Sequence, residues 1–293
     1  MLILISDAFD PTLPAILSKY GEVTSDKGRI ADATVVLIRS KTKVTKEYID
    51  SAPQLKLVIR GGVGLDNVDV DYARSKQIMV YNTAEASTIA VAELTFALMI
   101  ALPNQITRAD ASMREGKWIK SDIHRTELMG KTLGILGMGR IGTALAVRAR
   151  AFRMRVLAWH PDVYFSDFAE IVRTLEETVG ASDYVSIHMP LLDSTRGLIN
   201  KKSLAYFKDG SYIINTGRGQ CVVEEDVAEA LKSGKLGGFA TDVWYSDPPQ
   251  NSPLIGAPNC IFTPHIGAES KENMIRIGQI IERLIAENRN KLS

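Results

Sequence analysis

The strongest constraint on this chain is Gly137-Met-Gly139-Arg-Ile-Gly142, which follows an apolar run, Thr132-Leu-Gly-Ile-Leu136. A helical pattern then runs on to Arg150. Each glycine in such a fingerprint has a physical task. The first makes the strand-to-helix turn, the second lets backbone approach a pyrophosphate, and the third allows close helix–strand packing. Phosphates then meet a helix N-terminus, where unpaired N–H groups favour anions. A glycine loop by itself is a weak signal. The strand before it, the helix after it and the next apolar run, Arg155-Val-Leu-Ala-Trp159, together predict a βαβ unit with a dinucleotide site.

Bulk properties narrow the class. A length of 293 residues accommodates two domains. Lys and Arg number 35 against 34 Asp and Glu, so a net charge of +1 gives no footprint for nucleic acid or an anionic membrane surface. Cys221 and Cys260 make no disulfide framework and sit in no metal-ligand spacing, so no metal site is expected. The start, Met1-Leu-Ile-Leu-Ile-Ser-Asp, reads as a buried strand without the basic region or cleavage site of a signal peptide. No apolar run has bilayer-spanning length, and the cytoplasm is the expected compartment.

Two α/β patterns follow one another. In the first, apolar runs at residues 2–5, 34–38, 56–59 and 78–81 alternate with polar, helix-compatible segments, the signature of a parallel sheet. A helix over residues 89–102 ends at Pro103. The second pattern holds the fingerprint and its strand, then runs at 155–159, 184–188, 211–215, 238–243 and 260–263. Residues 271–291 carry Met274, Ile277, Ile281, Leu284 and Ile285 at amphipathic helical spacing.

These motifs add up to a resemblance. Ile5-Ser-Asp, Arg39-Ser-Lys-Thr-Lys-Val-Thr45, Arg60-Gly-Gly-Val-Gly-Leu-Asp-Asn-Val-Asp69, Gly116-Lys-Trp118, the fingerprint, His188-Met-Pro-Leu, Asn215-Thr-Gly-Arg-Gly219, Thr241-Asp-Val-Trp244 and Pro264-His-Ile-Gly-Ala268 occur in order along nearly the whole chain. The chain resembles the D-isomer-specific 2-hydroxyacid dehydrogenases, and within them the phosphoglycerate dehydrogenase branch. That resemblance implies two doubly wound α/β domains, a Rossmann-type cofactor domain inserted in a flavodoxin-like substrate domain. Expected limits are 96–268 for the cofactor domain and 1–95 with 269–293 for the substrate domain, the active site lying in the cleft between them. The branch's C-terminal regulatory extensions are not expected.

Oxidising a 2-hydroxy acid requires a base for the hydroxyl proton, a cation for the carboxylate and a hydride acceptor alongside. Of the histidines His124, His160, His188 and His265, only His265 lies in a Pro-His-Ile-Gly-Ala turn after an expected strand, at the sheet edge where open α/β folds place their sites. Arg218 presents a planar fork suited to a carboxylate. The bland alternatives are a core-edge imidazole and a solvated loop arginine. The resemblance puts a glutamate five residues after Asp242; the count lands on Asp247, a departure by one methylene. A carboxylate there can orient an imidazole, or Asp247 can simply open the turn before Pro248.

Arg39 and Arg60 end neighbouring strands and would converge, two forks suited to a phosphate dianion. Pairing with Asp66, Asp69 or Asp71 is the structural alternative. Ser40 joins that expected substrate set, and Gly61, Gly62, Val63 and Gly64 form a loop whose backbone N–H groups would hold the substrate carboxylate. By the resemblance the cofactor is held by Gly137, Gly139, Arg140, Ile141 and Gly142, by His160, and by His188, Met189 and Pro190. Thr216, Gly217, Arg218, Asp242, His265, Gly267 and Ala268 complete that set. The family's ribose-binding aspartate falls at His160, which removes the carboxylate that repels a 2′-phosphate, so NADP is not excluded; no Arg or Lys follows through Ser166 and Asp162 stands two residues on, so NAD is expected. The expected activity is oxidation of 3-phospho-D-glycerate. The alternatives are glyoxylate or hydroxypyruvate reduction and a cofactor-sensing corepressor role. The expected partner is a phosphorylated 2-hydroxy acid, with no nucleic acid or membrane. By family analogy residues 104–130, with Trp118, pack on a second subunit in a homodimer or dimer of dimers.

Overall fold

Short all-apolar runs become buried parallel strands, because a sheet covered on both faces needs no polar side. The computed structural model describes residues 1–292; Ser293, the last residue of the expected substrate domain, lies outside them. The chain divides into one unit of residues 1–88 joined by the segment from 268 onward, and a second of residues 89–267.

The first unit contains β1 (Leu2–Ile5), α1 (Leu13–Leu17), β2 (Glu22–Thr24), β3 (Val35–Ile38), α2 (Lys46–Asp50), β4 (Leu57–Arg60), α3 (Val70–Ser75) and β5 (Met79–Asn82). Its five strands are parallel in the order β2-β1-β3-β4-β5, the flavodoxin-type arrangement. Side chains alternate across the sheet with period two. Ile3, Val35, Leu37, Leu57 and Ile59 face one core with Leu13 and Leu17 of α1. Leu4, Val36, Ile38 and Val58 face the other with Ile49 of α2 and Ala73 of α3.

Helix α4 (Thr88–Ala101) leads into the second unit, followed by α5 (Ile106–Arg114), β6 (Thr132–Leu136), α6 (Arg140–Ala151), β7 (Arg155–Trp159), β8 (Glu170–Ile171), α7 (Leu175–Ala181) and β9 (Tyr184–Ile187). Then come α8 (Lys201–Leu204), β10 (Ser211–Asn215), α9 (Glu224–Lys232), β11 (Leu236–Thr241) and β12 (Cys260–Phe262). These seven strands are all parallel, in the order β12-β11-β10-β9-β6-β7-β8. The direction of winding reverses between β6 and β9, the switch point at which such folds bind dinucleotides. Phe96 and Met99 of α4 cover one face with Leu145 and Ala149 of α6, while Val179, Val227 and Leu231 of α7 and α9 cover the other.

The last helix, α10 (Lys271–Leu292), returns to the first unit and buries Ile277, Ile281, Ile285 and Leu292 against the α1 face of its sheet. Two strands lie outside the sequence expectation. Glu-Val-Thr of β2 and Glu-Ile of β8 are sheet-edge strands, too short and too polar to register as apolar runs. Strand β11 begins two residues earlier than expected, at Leu236. Among the described residues no single helix is long and apolar enough to cross a membrane.

Candidate active site

All strands of the second unit run the same way, so the segments that follow them share one sheet edge. The fingerprint follows β6, His160 follows β7, His188 follows β9, Arg218 follows β10, Asp242 follows β11 and His265 follows β12. The fingerprint closes on itself by close backbone approach. Gly137 has φ 104°, and a Cβ there would come within 2.7 Å of the His188 carbonyl; one on Gly142 would meet the Gly137 carbonyl at 2.3 Å. A Cβ on Gly139 would meet nothing within 4 Å. Gly139 is also the N-cap of α6, and no side chain caps that helix. An open backbone cradle at an uncapped helix N-terminus is the donor set a pyrophosphate needs, so these residues fit the dinucleotide.

The neighbouring turns tie into that cradle. Gly137 N donates to Trp159 O at 2.9 Å, and His188 N donates to Leu136 O at 2.7 Å. Met189 is buried with its sulfur against Gly137, whereas Pro190, Arg140 and Ser40 are exposed. Gly217 lies against the Ile187 carbonyl. Thr216 Oγ1 pairs with Thr95 Oγ1 of α4 at 2.7 Å, which commits that hydroxyl to the fold. His160 Nδ1 accepts from Asp162 N at 3.1 Å, so its other nitrogen is the one turned to other partners. His188 Nδ1 is enclosed without a partner and Nε2 lies 2.9 Å from Ser186 Oγ. Burial pulls its pKa from 6.5 down to about 4, so the ring is neutral.

The turn that carries His265 is held from below. Asp242 is buried and accepts three hydrogen bonds: from Thr263 Oγ1 at 2.6 Å, from Ile266 N at 2.8 Å and from Gly267 N at 2.8 Å. A Cβ on Gly267 would lie 2.9 Å from the Asp242 carboxylate, so the grip needs glycine there. Between these anchors His265 adopts φ 57°, a left-handed conformation that costs a non-glycine residue about 1–3 kcal/mol. Charge-assisted bonds to a buried carboxylate are worth about 1.5–3 kcal/mol each, so the clamp outweighs the strain. The strained turn aims His265 Nδ1 at Asp247, and the two side chains are hydrogen-bonded. The aspartate therefore reaches the imidazole despite its shorter side chain. Sequence reasoning singled out Asp242 only as a cofactor contact; its grip on the His265 turn depends on the β11–β12 register.

Arg218 sits in a loop braced by its neighbours. Its carbonyl accepts from Asn215 Nδ2 at 3.0 Å and its Nη1 donates to Gly217 O at 2.8 Å. A Cβ on Gly219 would fall 2.0 Å from the Trp244 carbonyl, so the Arg218 loop and the segment from Asp242 pack backbone to backbone.

In the first unit Arg60 ends β4 and pairs in register with Ile38, the residue before Arg39. A Cβ on Gly62, which has φ 151°, would strike the Arg60 guanidinium at 2.4 Å, so glycine makes room for that side chain. The glycine loop needs a correction. Gly61 N donates to Ile38 O at 2.8 Å and Gly62 N donates to Thr83 Oγ1 at 2.9 Å. Both amides are consumed by the fold, which leaves Val63 and Gly64 as the loop's available N–H groups. Arg39 pairs with Glu269. Asp69 caps α3 and Asp71 pairs with Arg74. Ala268, next to Glu269, accepts from Asn273 Nδ2 at 2.7 Å.

Comparison with known proteins matches residues 96–267 to the family model described as D-isomer specific 2-hydroxyacid dehydrogenase, NAD binding domain. The chain is 39% identical over 295 residues to a D-3-phosphoglycerate dehydrogenase of Methanocaldococcus jannaschii, covering 97% of this chain but only 56% of that protein's length. It is 41% identical over 262 residues to a hydroxypyruvate reductase of Thermotoga maritima, covering 88% of this chain and 86% of that one. A solved D-lactate dehydrogenase of Aquifex aeolicus, complexed with NAD and lactic acid, superposes with TM-score 0.88 at 26% identity, covering 100% of this chain and 97% of that one.

The enclosed His188 yields a stability prediction. Unfolded, the ring binds a proton near pH 6.5; folded, only near pH 4. Unfolding therefore takes up a proton between those values, and stability falls as pH is lowered through that window. Denaturant titrations of the wild type should show this slope between pH 6.5 and 4, and His188→Gln should flatten it. Equal slopes in both proteins would show that His188 is not desolvated.

Proposed function

Because the chain belongs to the D-isomer specific 2-hydroxyacid dehydrogenase family, we propose that it oxidises 3-phospho-D-glycerate to 3-phosphohydroxypyruvate with NAD, the entry to serine synthesis. The observation that carries the reaction is the His265–Asp247 pair in its clamped turn. With Nδ1 held by Asp247, His265 offers Nε2 to the substrate hydroxyl. The proton moves to Nε2 as the C2–H bond breaks and C2–O becomes a carbonyl. Bound NAD supplies the acceptor for the hydride that leaves C2. Asp247 stabilises the imidazolium that results, and in reduction that imidazolium returns the proton. Arg218 takes the substrate carboxylate. Gly137, Gly139 and Gly142 would hold the pyrophosphate of the cofactor and His160 its ribose.

Arg39 and Arg60, at adjacent strand ends, support the phosphate. The phosphoglycerate dehydrogenase relative supports the same substrate. A second reading, reduction of hydroxypyruvate or glyoxylate, is favoured by one observation: the Arg39 fork already holds a carboxylate, that of Glu269. The likeness to a hydroxypyruvate reductase over 86% of its length points the same way. We also read residues 104–130 as the contact with a second copy, since Trp118 is 77% exposed and Ile106 and Met113 of the same segment are exposed too.

Replacing His265 with Gln should lower turnover by about 10²–10⁴-fold, with NAD affinity retained in a fluorescence titration. Asp247→Asn should fall in the same direction and Asp247→Glu should recover most of the rate. Near-normal turnover in His265→Gln removes the histidine from the mechanism. For the substrate, Arg60→Ala or Arg39→Ala should cost about 1.5–3 kcal/mol in kcat/KM for phosphohydroxypyruvate, a loss of tenfold to over a hundredfold. Hydroxypyruvate should be affected little. Equal losses for both substrates would make the arginines structural and the reductase reading the better one.

A further inference from the structure

Glu269 stands directly after the Pro264-His-Ile-Gly-Ala268 motif, and its two carboxylate oxygens grip Arg39 as a fork: Nη2 to Oε1 at 2.5 Å and Nη1 to Oε2 at 3.0 Å. That is the geometry an arginine makes with a bound carboxylate or phosphate. The two halves of the pair are not equally fixed. The Arg39 side chain is 13% exposed and that of Glu269 46%. The arginine backbone is pinned as well, its N donating to Asp7 Oδ2 at 2.6 Å and its carbonyl accepting from Asn67 Nδ2 at 2.8 Å. Burial alone would raise the Asp7 carboxyl, but bonds from Arg39 N, Thr42 Oγ1 and Thr42 N hold it below the usual carboxylate range, so this anchor stays ionised. Arg39 Nε is buried without a partner, so the fork satisfies two of the guanidinium's nitrogens and leaves the third unmet. The cation is built into the fold. The anion is carried on a side chain with room to leave.

We propose that Glu269 is a specificity-determining residue, an intramolecular anion that competes with the distal phosphate of a substrate for Arg39. This rests on the reading in which Arg39 takes that phosphate. A dianion at Arg39 must displace the Glu269 carboxylate or share the fork with it, and each route weakens its net attraction. A substrate with an uncharged distal hydroxyl meets no such competition. Glu269 therefore narrows the advantage of phosphorylated over unphosphorylated 2-oxo acids and broadens the substrate range. A purely structural pair would behave otherwise, since a half-exposed ion pair contributes little to stability and nothing to substrate choice.

The test compares wild type, Glu269→Gln, Glu269→Ser, Arg39→Ala and Arg39→Ala with Glu269→Gln, all checked for folding by thermal unfolding. Reduction of phosphohydroxypyruvate and of hydroxypyruvate is followed with NADH, and inorganic phosphate is titrated as an inhibitor. Glu269→Gln should raise kcat/KM for phosphohydroxypyruvate about tenfold, mainly through KM, and tighten phosphate inhibition by a similar factor. The rate with hydroxypyruvate should move by less than about twofold, and the gain should vanish in the Arg39→Ala background. The proposal is overturned if both Glu269 variants leave phosphohydroxypyruvate kinetics and phosphate inhibition unchanged, or if the gain persists without Arg39. A wild type that prefers phosphohydroxypyruvate with silent Glu269 variants rejects this inference and keeps the phosphoglycerate reading. A wild type inactive on phosphohydroxypyruvate whose phosphate inhibition still tightens in Glu269→Gln does the reverse.

Discussion

One buried carboxylate sets the chemistry of the second unit. Asp242 leaves the end of β11 and, by accepting from the Ile266 and Gly267 amides and the Thr263 hydroxyl, forces the segment after β12 into a turn that an unassisted chain would avoid. His265 is left-handed because its neighbours are tied down on one side and Gly267 permits close approach on the other. The imidazole then meets Asp247, carried on the loop that follows Trp244. That loop is itself fixed, since Trp244 Nε1 donates to Thr263 O at 3.2 Å and its backbone packs on Gly219 beside Arg218. His265, Asp247 and Arg218, the three residues proposed for the chemistry, thus share one scaffold of backbone contacts. Such preorganisation is what acid–base catalysis demands.

Much of this was legible in the residues. The apolar runs became strands within a residue or two because parallel strands buried on both faces must be apolar throughout. Strands β2 and β8 were not legible, since an edge strand of two or three residues with glutamate in it carries no such signal. The fingerprint glycines behave as their spacing implies, down to the open face of Gly139. The loop at Gly61 and Gly62 shows the limit. Whether an amide is free depends on which strand lies beside it, here on Ile38 and on Thr83, and no local pattern encodes that partnership. The pairing of Arg39 with Glu269 spans 230 residues and is invisible for the same reason. Asp247 was placed by counting from a motif; that it meets His265 Nδ1 required the fold.

The first unit poses a question of charge. Two guanidinium groups at the ends of β3 and β4 would favour a dianion strongly. Glu269 offsets part of that charge. On the proposed reading, the balance between arginines built into the sheet and a carboxylate on a more exposed side chain sets how far the chain leans towards a phosphorylated acid and how far towards its unphosphorylated counterpart. Over the aligned residues both kinds of relative are close to two-fifths identical to this chain.

In the proposed reaction hydride passes directly from C2 of a D-2-hydroxy acid to NAD while His265 takes the hydroxyl proton. Isotope tracing tests this most directly. The protein is incubated with NAD and D-glycerate or 3-phospho-D-glycerate carrying deuterium at C2, and the reduced cofactor is read by NMR. The account predicts that all the deuterium appears at C4 of the nicotinamide, on one face, with none released to solvent and no turnover of the L isomer. Deuterium washed into water, or equal turnover of both isomers, would contradict it.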